Sequence, residues 1–453
     1  MKRYLPIPMM LAALPALVLF SCNKYLDERP EKTTVVISSL DDVQKLLDKN
    51  DVINQGSVHS LLEMVSDDYY VTSSELSSLN KQQRENYLWD PSAYMDNAWT
   101  TTYQRPVYYA NIILDQLPGL TIKAIDRTRY DELYGAALFF RSWGFYHLAQ
   151  LFCKPYSGKN AQEPGIVLRL SAAILDKSVR STIQRSYDQI IGDLKLAAEK
   201  LPEAVNFPTR PNKAAAFGAL ARVYLSMGAY AEAGKFADSC LIRNNELMDY
   251  NLLDSNSTIP FVRFNKETIF YSTLALENIV TMNYAKTDTN LLASYQSGDL
   301  RRGMFFASNP NGTVYFNGSY EGSSWVQLFN GIATDEIYLI KAEAAARAGN
   351  TGLAMQTLNH LLTFRWKAGE FTELQASTPG EALGLILTER RKELLFRGLR
   401  WTDLRRLNEE GYGISIKRLF NGQEYTLPAN DPRWVMLIPP SIMSSTDLSQ
   451  NPR

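Results

Sequence analysis

Cysteine and histidine are scarce in this 453-residue chain, which holds three of each. Three cysteines cannot build the disulfide framework of a small secreted domain, and beyond Cys22 only Cys153 and Cys240 remain. Both fall in helical patterns and read as unpaired core thiols; spacing alone leaves a single bridge between them open. His59, His147 and His360 form no HExxH or other close ligand pair, and His147 sits in an aromatic helix where a hydrogen-bonded core role is expected. No GxSxG, phosphate-binding loop or dinucleotide fingerprint occurs. These absences argue against an enzyme, a bound metal and a cofactor. Paired acids such as Asp67-Asp68 and Asp335-Glu336 are the remaining catalytic candidates, and Asp335 is better read as an N-terminal charge favouring the helix after it. Charge of one sign is missing too: 47 Lys and Arg face 48 Asp and Glu. That balance opposes nucleic acid or an anionic membrane as partner.

Long apolar runs are confined to the N-terminus. Lys2 and Arg3 precede an apolar stretch over 5–20 that is broken by Pro6, Pro8 and Pro15. A spanning helix needs roughly 20 uninterrupted apolar residues, so this pattern reads as a secretory signal over 1–21. Leu19-Phe20-Ser21-Cys22 resembles a bacterial lipobox, in which cleavage exposes a cysteine that carries lipid. Residues 22–38, with Pro30 opposing a helix, then read as a lipidated tether.

Helical patterning dominates the rest. Ser39 is placed to cap a short helix with Asp41 and Asp42 in its first turn. The stretch 94–117 carries apolar residues at three- and four-residue steps and predicts one amphipathic helix. Residues 131–152 are apolar on more than one face, the mark of a helix buried on both sides. Ile183, Tyr187, Ile190, Leu194 and Ala197 form the stripe of another, ended by Pro202. AAAFGALARVYLSMGAYAEAGKFADSCL and DEIYLIKAEAAARAGNTGLAMQTLNHLL share one rhythm of small residues around Gly228 and Gly349. Two copies in register predict tetratricopeptide-like helix pairs. The helical N-terminal part is set at 39–244 and a C-terminal part at 335–453. Between them, 245–334 reads as an irregular segment of short strands, with turns at Asn311-Gly312 and Asn317-Gly318. A further small hairpin and closing loop are expected in 414–440.

The run TERRKELLFRGLRWTDLRRL is dense in arginine, yet Glu389, Glu393 and Asp403 are interleaved with an apolar body. Arg397, Arg400, Trp401 and Asp403 are therefore read as a structural cluster of ion pairs and stacked aromatics.

Several stretches together carry a family resemblance: CNKYLDERP, YYANIILDQL, ALFFRSWGFYHLAQLFCKPY, NKAAAFGALARVYLSMGAYAEA, ERRKELLFRGLRWTDLRRL and the closing MLIPP and QNPR. The chain resembles, almost end to end, the SusD/RagB lipoproteins of Bacteroidetes. That resemblance implies a mainly α fold of tetratricopeptide-like pairs, with a smaller irregular subdomain containing short β-hairpins. It implies a lipid-anchored protein on the outside of the outer membrane, partnering a SusC-like TonB-dependent transporter. The implied ligand is an oligosaccharide, with a peptide or a purely structural scaffold role as alternatives. No residue-level sugar site carries over. Sugars present apolar ring faces and hydroxyls, so aromatic and polar residues in irregular segments are the candidates: Tyr69, Tyr70, Trp89, Tyr315, Tyr320 and Trp325, with Asp68, Asp90 and Asn317 to orient hydroxyls.

Overall fold

Ser39 opens the first helix, Leu40–Leu47, its hydroxyl accepting from Asp42 N while Asp41 and Asp42 occupy the first turn. The computed structural model describes residues 37–173, 175–323 and 327–453. From there helices succeed one another in a line, each packed on the next: Tyr108–Gln116, Arg127–Phe152, Ile183–Lys200, Lys213–Ser226, Tyr230–Leu241, Thr334–Arg347 and Thr351–Thr363. Tyr230–Leu241 packs directly on Thr334–Arg347, so the irregular segment is inserted without interrupting the stack. Gly228 (φ 70°) and Gly349 (φ 80°) take the left-handed conformation that turns the chain between paired helices, which explains the repeat's spacing.

Arg127–Phe152 is buried on every face from Ala136 onward, as its unbroken apolar pattern demands. Its one hydrogen-bonded histidine, His147, joins Nδ1 to Trp143 O at 2.8 Å, and burial pushes the imidazole down to about 3. The stretch 94–117 is not one helix. Asp96–Thr102 and Tyr108–Gln116 are separated by a wider i→i+5 turn over Tyr103–Val107 that contains Pro106. Proline lacks the amide that a regular helix needs, and the wider turn absorbs that loss without ending the rod.

Strands are short and occur, among the described residues, as two-stranded ribbons. Phe306–Ser308 and Val314–Phe316 form a hairpin around Asn311-Gly312, whereas Asn317-Gly318 lies past the second strand and turns no hairpin. Ile416–Phe420 and Gln423–Leu427 form a second hairpin, closed by Asn421 (φ 51°) and Gly422 (φ 77°). Two ribbons join distant parts of the chain. Val58–His59 runs parallel to Leu274–Ala275, and Tyr69–Tyr70 runs antiparallel to Lys286–Thr287. One apolar cluster accordingly extends from Ile37 to Leu448, and the segments 39–244, 245–334 and 335–453 share it. Cys153 and Cys240 are both buried and free.

Arginine is unusually deep in this fold. Arg141 pairs with Asp193, Arg222 with Glu336, and Arg301 with Asp299, Glu389 and Glu393, all in the interior. A buried charge is costly unless it is paired or fully hydrogen-bonded, and these ion pairs meet that condition.

Candidate ligand-binding cleft

The ribbon Tyr69–Tyr70 with Lys286–Thr287 forms one wall of a cleft of about 550 Å³. Asp288 N continues the pairing by donating to Asp68 O at 2.9 Å. The Asp288 carboxylate then accepts from Leu291 N at 2.8 Å and starts the turn Thr289–Ala293, which sets Asn290 on the rim. Thr72 caps Ser73–Ser78 in a reciprocal pairing with Glu75, and Glu75 in turn bonds Lys286. Opposite lie Arg391 and the hairpin residues 415–419. Tyr70, Thr72, Ser73, Asn290 and Lys417 reach the opening, so an aromatic face and neutral and charged hydrogen-bonding groups converge there. A second groove, of about 410 Å³, is lined mainly by apolar groups including Trp99, Val107, Ile442 and Leu448. Hydroxyl-rich ligands are better matched by the polar cleft.

The floor of the cleft is organised by Arg418. Its guanidinium lies 3.5 Å from the centre of the Tyr87 ring, 4.6 Å from Trp89 and 5.3 Å from Tyr69. It donates to the carbonyls of Tyr87 (2.8 Å), Met64 (3.1 Å) and Ser66. Tyr69 and Trp89 are thereby placed differently from the ligand platforms expected of them: they are buried walls of a cage around an arginine. Their polar tips are spent as well, Tyr69 Oη donating to Met64 O at 2.9 Å and Trp89 Nε1 to Val65 O at 3.1 Å.

Three acids meet behind the ribbon. Arg400 grips Asp67 through two bonds of 2.7 and 2.9 Å, and Arg391 lies 3.3 Å from the same carboxylate and 3.5 Å from Asp68. Burial opposes ionisation of Asp67, but Arg400 and Arg391 outweigh it and hold the carboxyl well below the usual range. Asp68 is fully buried. Burial, reinforced by Asp67 and only partly offset by Arg391, pushes its carboxyl up to about 6. Glu63, accepting from Gly398 N at 3.0 Å, is raised further by burial and by Asp68. Asp68 is thus part of the support of the cleft and not a surface group that orients a hydroxyl.

The other candidates do not gather in one place. Asp90 is half-buried and folds back on Ser92 N at 2.8 Å. Tyr315 is half-buried on the strand that lies against Lys286–Thr287, and Asn317 donates to Thr258 O at 3.1 Å. Tyr320 is a core residue, 1% exposed, whose hydroxyl bonds Glu267 at 2.8 Å and Tyr250 at 2.9 Å. Burial removes it from any ligand surface. Trp325 and Cys22 lie outside the described residues. Arg397 forks onto Asp335 at 2.7 and 2.9 Å, Asp403 accepts from Arg390 and Arg406, and Trp401 lies against Trp434 with centroids 4.4 Å apart. Asp335, read as a helix-start charge, is therefore above all the buried partner of Arg397. Reading the sequence missed Thr72, Asp288, Asn290, Arg391 and Lys417. Asp288 carried a usable signal, a capping aspartate three residues before Leu291; the others become neighbours only through long-range pairing.

Among the described residues no three His, Cys, Asp or Glu side chains are arranged to hold a metal ion, and no helix is long and apolar enough to cross a membrane. Residues 24–225 match a SusD-like family described as starch-binding and associating with the outer membrane, and residues 332–451 match the SusD family. SusD-like protein P2 of Formosa agariphila is 25% identical over 352 residues, a match covering 62% of this chain and 66% of that one, just under two thirds of its length. Among solved structures, a SusD superfamily protein from Bacteroides thetaiotaomicron aligns with a TM-score of 0.74 at 21% identity, covering 92% of this chain and 100% of that one. A SusD-like carbohydrate binding protein from Bacteroides vulgatus gives 0.69 at 19% identity, over 91% and 97%. A laminarin-binding SusD-like protein gives 0.63 at 17% identity, again over 91% and 97%. At such identities these likenesses establish the fold. The two family matches together span more than two thirds of the sequence, and the chain belongs to the SusD/RagB family.

Proposed function

We propose that this protein captures an oligosaccharide at the cell surface, in the cleft between the Tyr69–Tyr70 ribbon and the hairpin 415–419, and passes it to a SusC-like TonB-dependent transporter. The observation that carries the reading is the cleft itself, set in a chain of this family. A half-buried tyrosine, Tyr70, stands beside Thr72, Ser73, Asn290 and Arg391 in a volume of about 550 Å³, the size and chemistry suited to a few sugar rings. Family membership supports an outer-membrane setting, and Cys22 is the proposed point of lipid attachment.

Isothermal titration of the purified protein against a panel of neutral and charged oligosaccharides tests the reading. Binding without product formation is expected, with affinity reduced about tenfold or more in Tyr70→Ala if the ring stacks on a sugar. Steady release of shorter sugars, or wild-type affinity in Tyr70→Ala and Asn290→Ala alike, would refute this assignment of the site.

A further inference from the structure

The charges of the cleft do not cancel evenly. Asp67 is answered by the Arg400 fork at 2.7 and 2.9 Å, and Asp288 by the backbone amide of Leu291. Lys417, on the rim, has Glu424 at 2.8 Å. Arg391 donates from Nη2 to the Asp67 carbonyl at 2.9 Å but reaches the Asp67 and Asp68 carboxylates only at 3.3 and 3.5 Å, and 26% of its side chain remains exposed toward the cleft. Arg418 has no carboxylate partner among the described residues; carbonyls and ring faces solvate its charge without neutralising it.

Elsewhere in the interior the rule is different. Arg141, Arg222, Arg365 and Arg406 each meet a carboxylate. Arg405 is also held by carbonyls, those of Gln150 and Cys153. That guanidinium caps the C-terminal end of Arg127–Phe152, where the negative end of the helix dipole supplies its counter-charge. Arg418 alone combines a carbonyl-held guanidinium with a place in the lining of the 550 Å³ cleft. Asp288 puts its negative charge on the rim, so the cleft has no simple net sign. What sets its floor apart is Arg418, a buried guanidinium that meets no carboxylate among the described residues, in a place where partial exclusion of water strengthens any charge pairing.

Resting on the reading of this cleft as an oligosaccharide site, we propose that its preferred ligand carries an oxyanion, the carboxylate of a uronic acid or a sulfate ester, seated against Arg391 and over Arg418. Arg391 touches the anion with Nη1, since Nη2 and Nε are turned to Asp67 and Asp68. Arg418 acts through its field from beneath, and Tyr70 supplies the apolar face for the ring that bears the group. An uncharged sugar would leave the same cations without the partner that the rest of the interior provides.

Matched ligands separate this inference from the function it rests on. Oligogalacturonides are compared by titration with their methyl esters, which keep the backbone and lose the charge, and a sulfated galactan oligosaccharide is compared with its desulfated form. At low salt the charged member of a pair should bind about tenfold tighter or better, and the advantage should shrink as salt rises. Which pair shows the advantage tells carboxylate from sulfate. Arg391→Gln should bring charged and neutral members to within about threefold while leaving the folded state intact, since the residue is partly exposed. Arg418→Met is followed by circular dichroism first, because its cage is part of the core. Equal affinity within both pairs, or a preference for the neutral member, overturns the acidic-ligand inference and leaves oligosaccharide binding standing. No binding by any member, together with none by the neutral panel, overturns both.

Discussion

Arg397 offers the sharpest test of how the arginine-rich run works. Its guanidinium makes two bonds to Asp335, at 2.9 and 2.7 Å, and lies 4.4 Å from the centre of the Tyr320 ring. The side chains of the pair are 7% and 0% exposed. In Arg397→Ala, Asp335 keeps only the Glu336 amide at 2.7 Å and the Tyr320 hydroxyl at 3.4 Å for a carboxylate that water cannot reach. Removing one partner of such a pair costs about 3–5 kcal/mol, because a buried charge is left without compensation. Arg400→Ala breaks a fork of equal geometry, but Arg400 and Asp67 are 15% and 21% exposed and Arg391 stays beside Asp67. Its cost should be about 1–3 kcal/mol. Urea denaturation of the two variants in parallel measures the difference. A third variant, Arg397→Met with Asp335→Leu, removes both charges and should recover most of the loss. If Arg397→Ala costs less than about 1 kcal/mol, or the apolar double variant is worse than the single one, the pair is not held as described.

Further outcomes are expected. Asp68 sits in the folded protein above its ordinary value of 3.8, at about 6. A raised acid binds extra protons on folding, so its stabilising contribution is complete below about pH 4 and is lost as pH rises through about 6. Asp68→Asn, which cannot ionise, should therefore be up to about 3 kcal/mol more stable than the native protein at pH 7 and level with it below about pH 4. Urea melts at the two pH values decide this, and a variant less stable at pH 7 would reverse the assigned sign. Cys22→Ser should move the protein from the membrane fraction to the soluble one with an unchanged melt; mass spectrometry that finds no acyl group on native Cys22 would defeat the anchor.

Local chemistry made much of the fold legible. The Ser39 cap, the two small-residue repeats and the hairpin expected in 414–440 each depend on residues a few positions apart, and each appears where the pattern puts it. The wide turn at Tyr103–Val107 escaped because Pro106 can end a helix or deform it, and only the packing of Tyr108–Gln116 against its neighbours decides which. The cleft was partly visible in Tyr70 and in the neighbouring acids, but a sequence does not tell a tyrosine that faces solvent from one that faces an arginine. Tyr69, Trp89 and Tyr320 have the same irregular surroundings as Tyr70, and the groups that bury them, Arg418 and Glu267, are remote in the chain.

Arg418 reaches the carbonyl of Tyr87 across 331 residues. The Tyr69–Tyr70 wall and the hairpin that faces it therefore come from distant parts of the polypeptide, and the later of them to be synthesised completes the cleft. At roughly 5–20 residues per second, synthesis of the intervening 331 residues takes about 17–66 s. The helical stack, made of contacts between neighbours, can form early, whereas the cage is among the most non-local contacts of the molecule and belongs to the slow end of folding. A chain cut short before residue 416 would keep most of its helices and have no cleft, so the cleft depends on the late hairpin closing over a wall made hundreds of residues earlier.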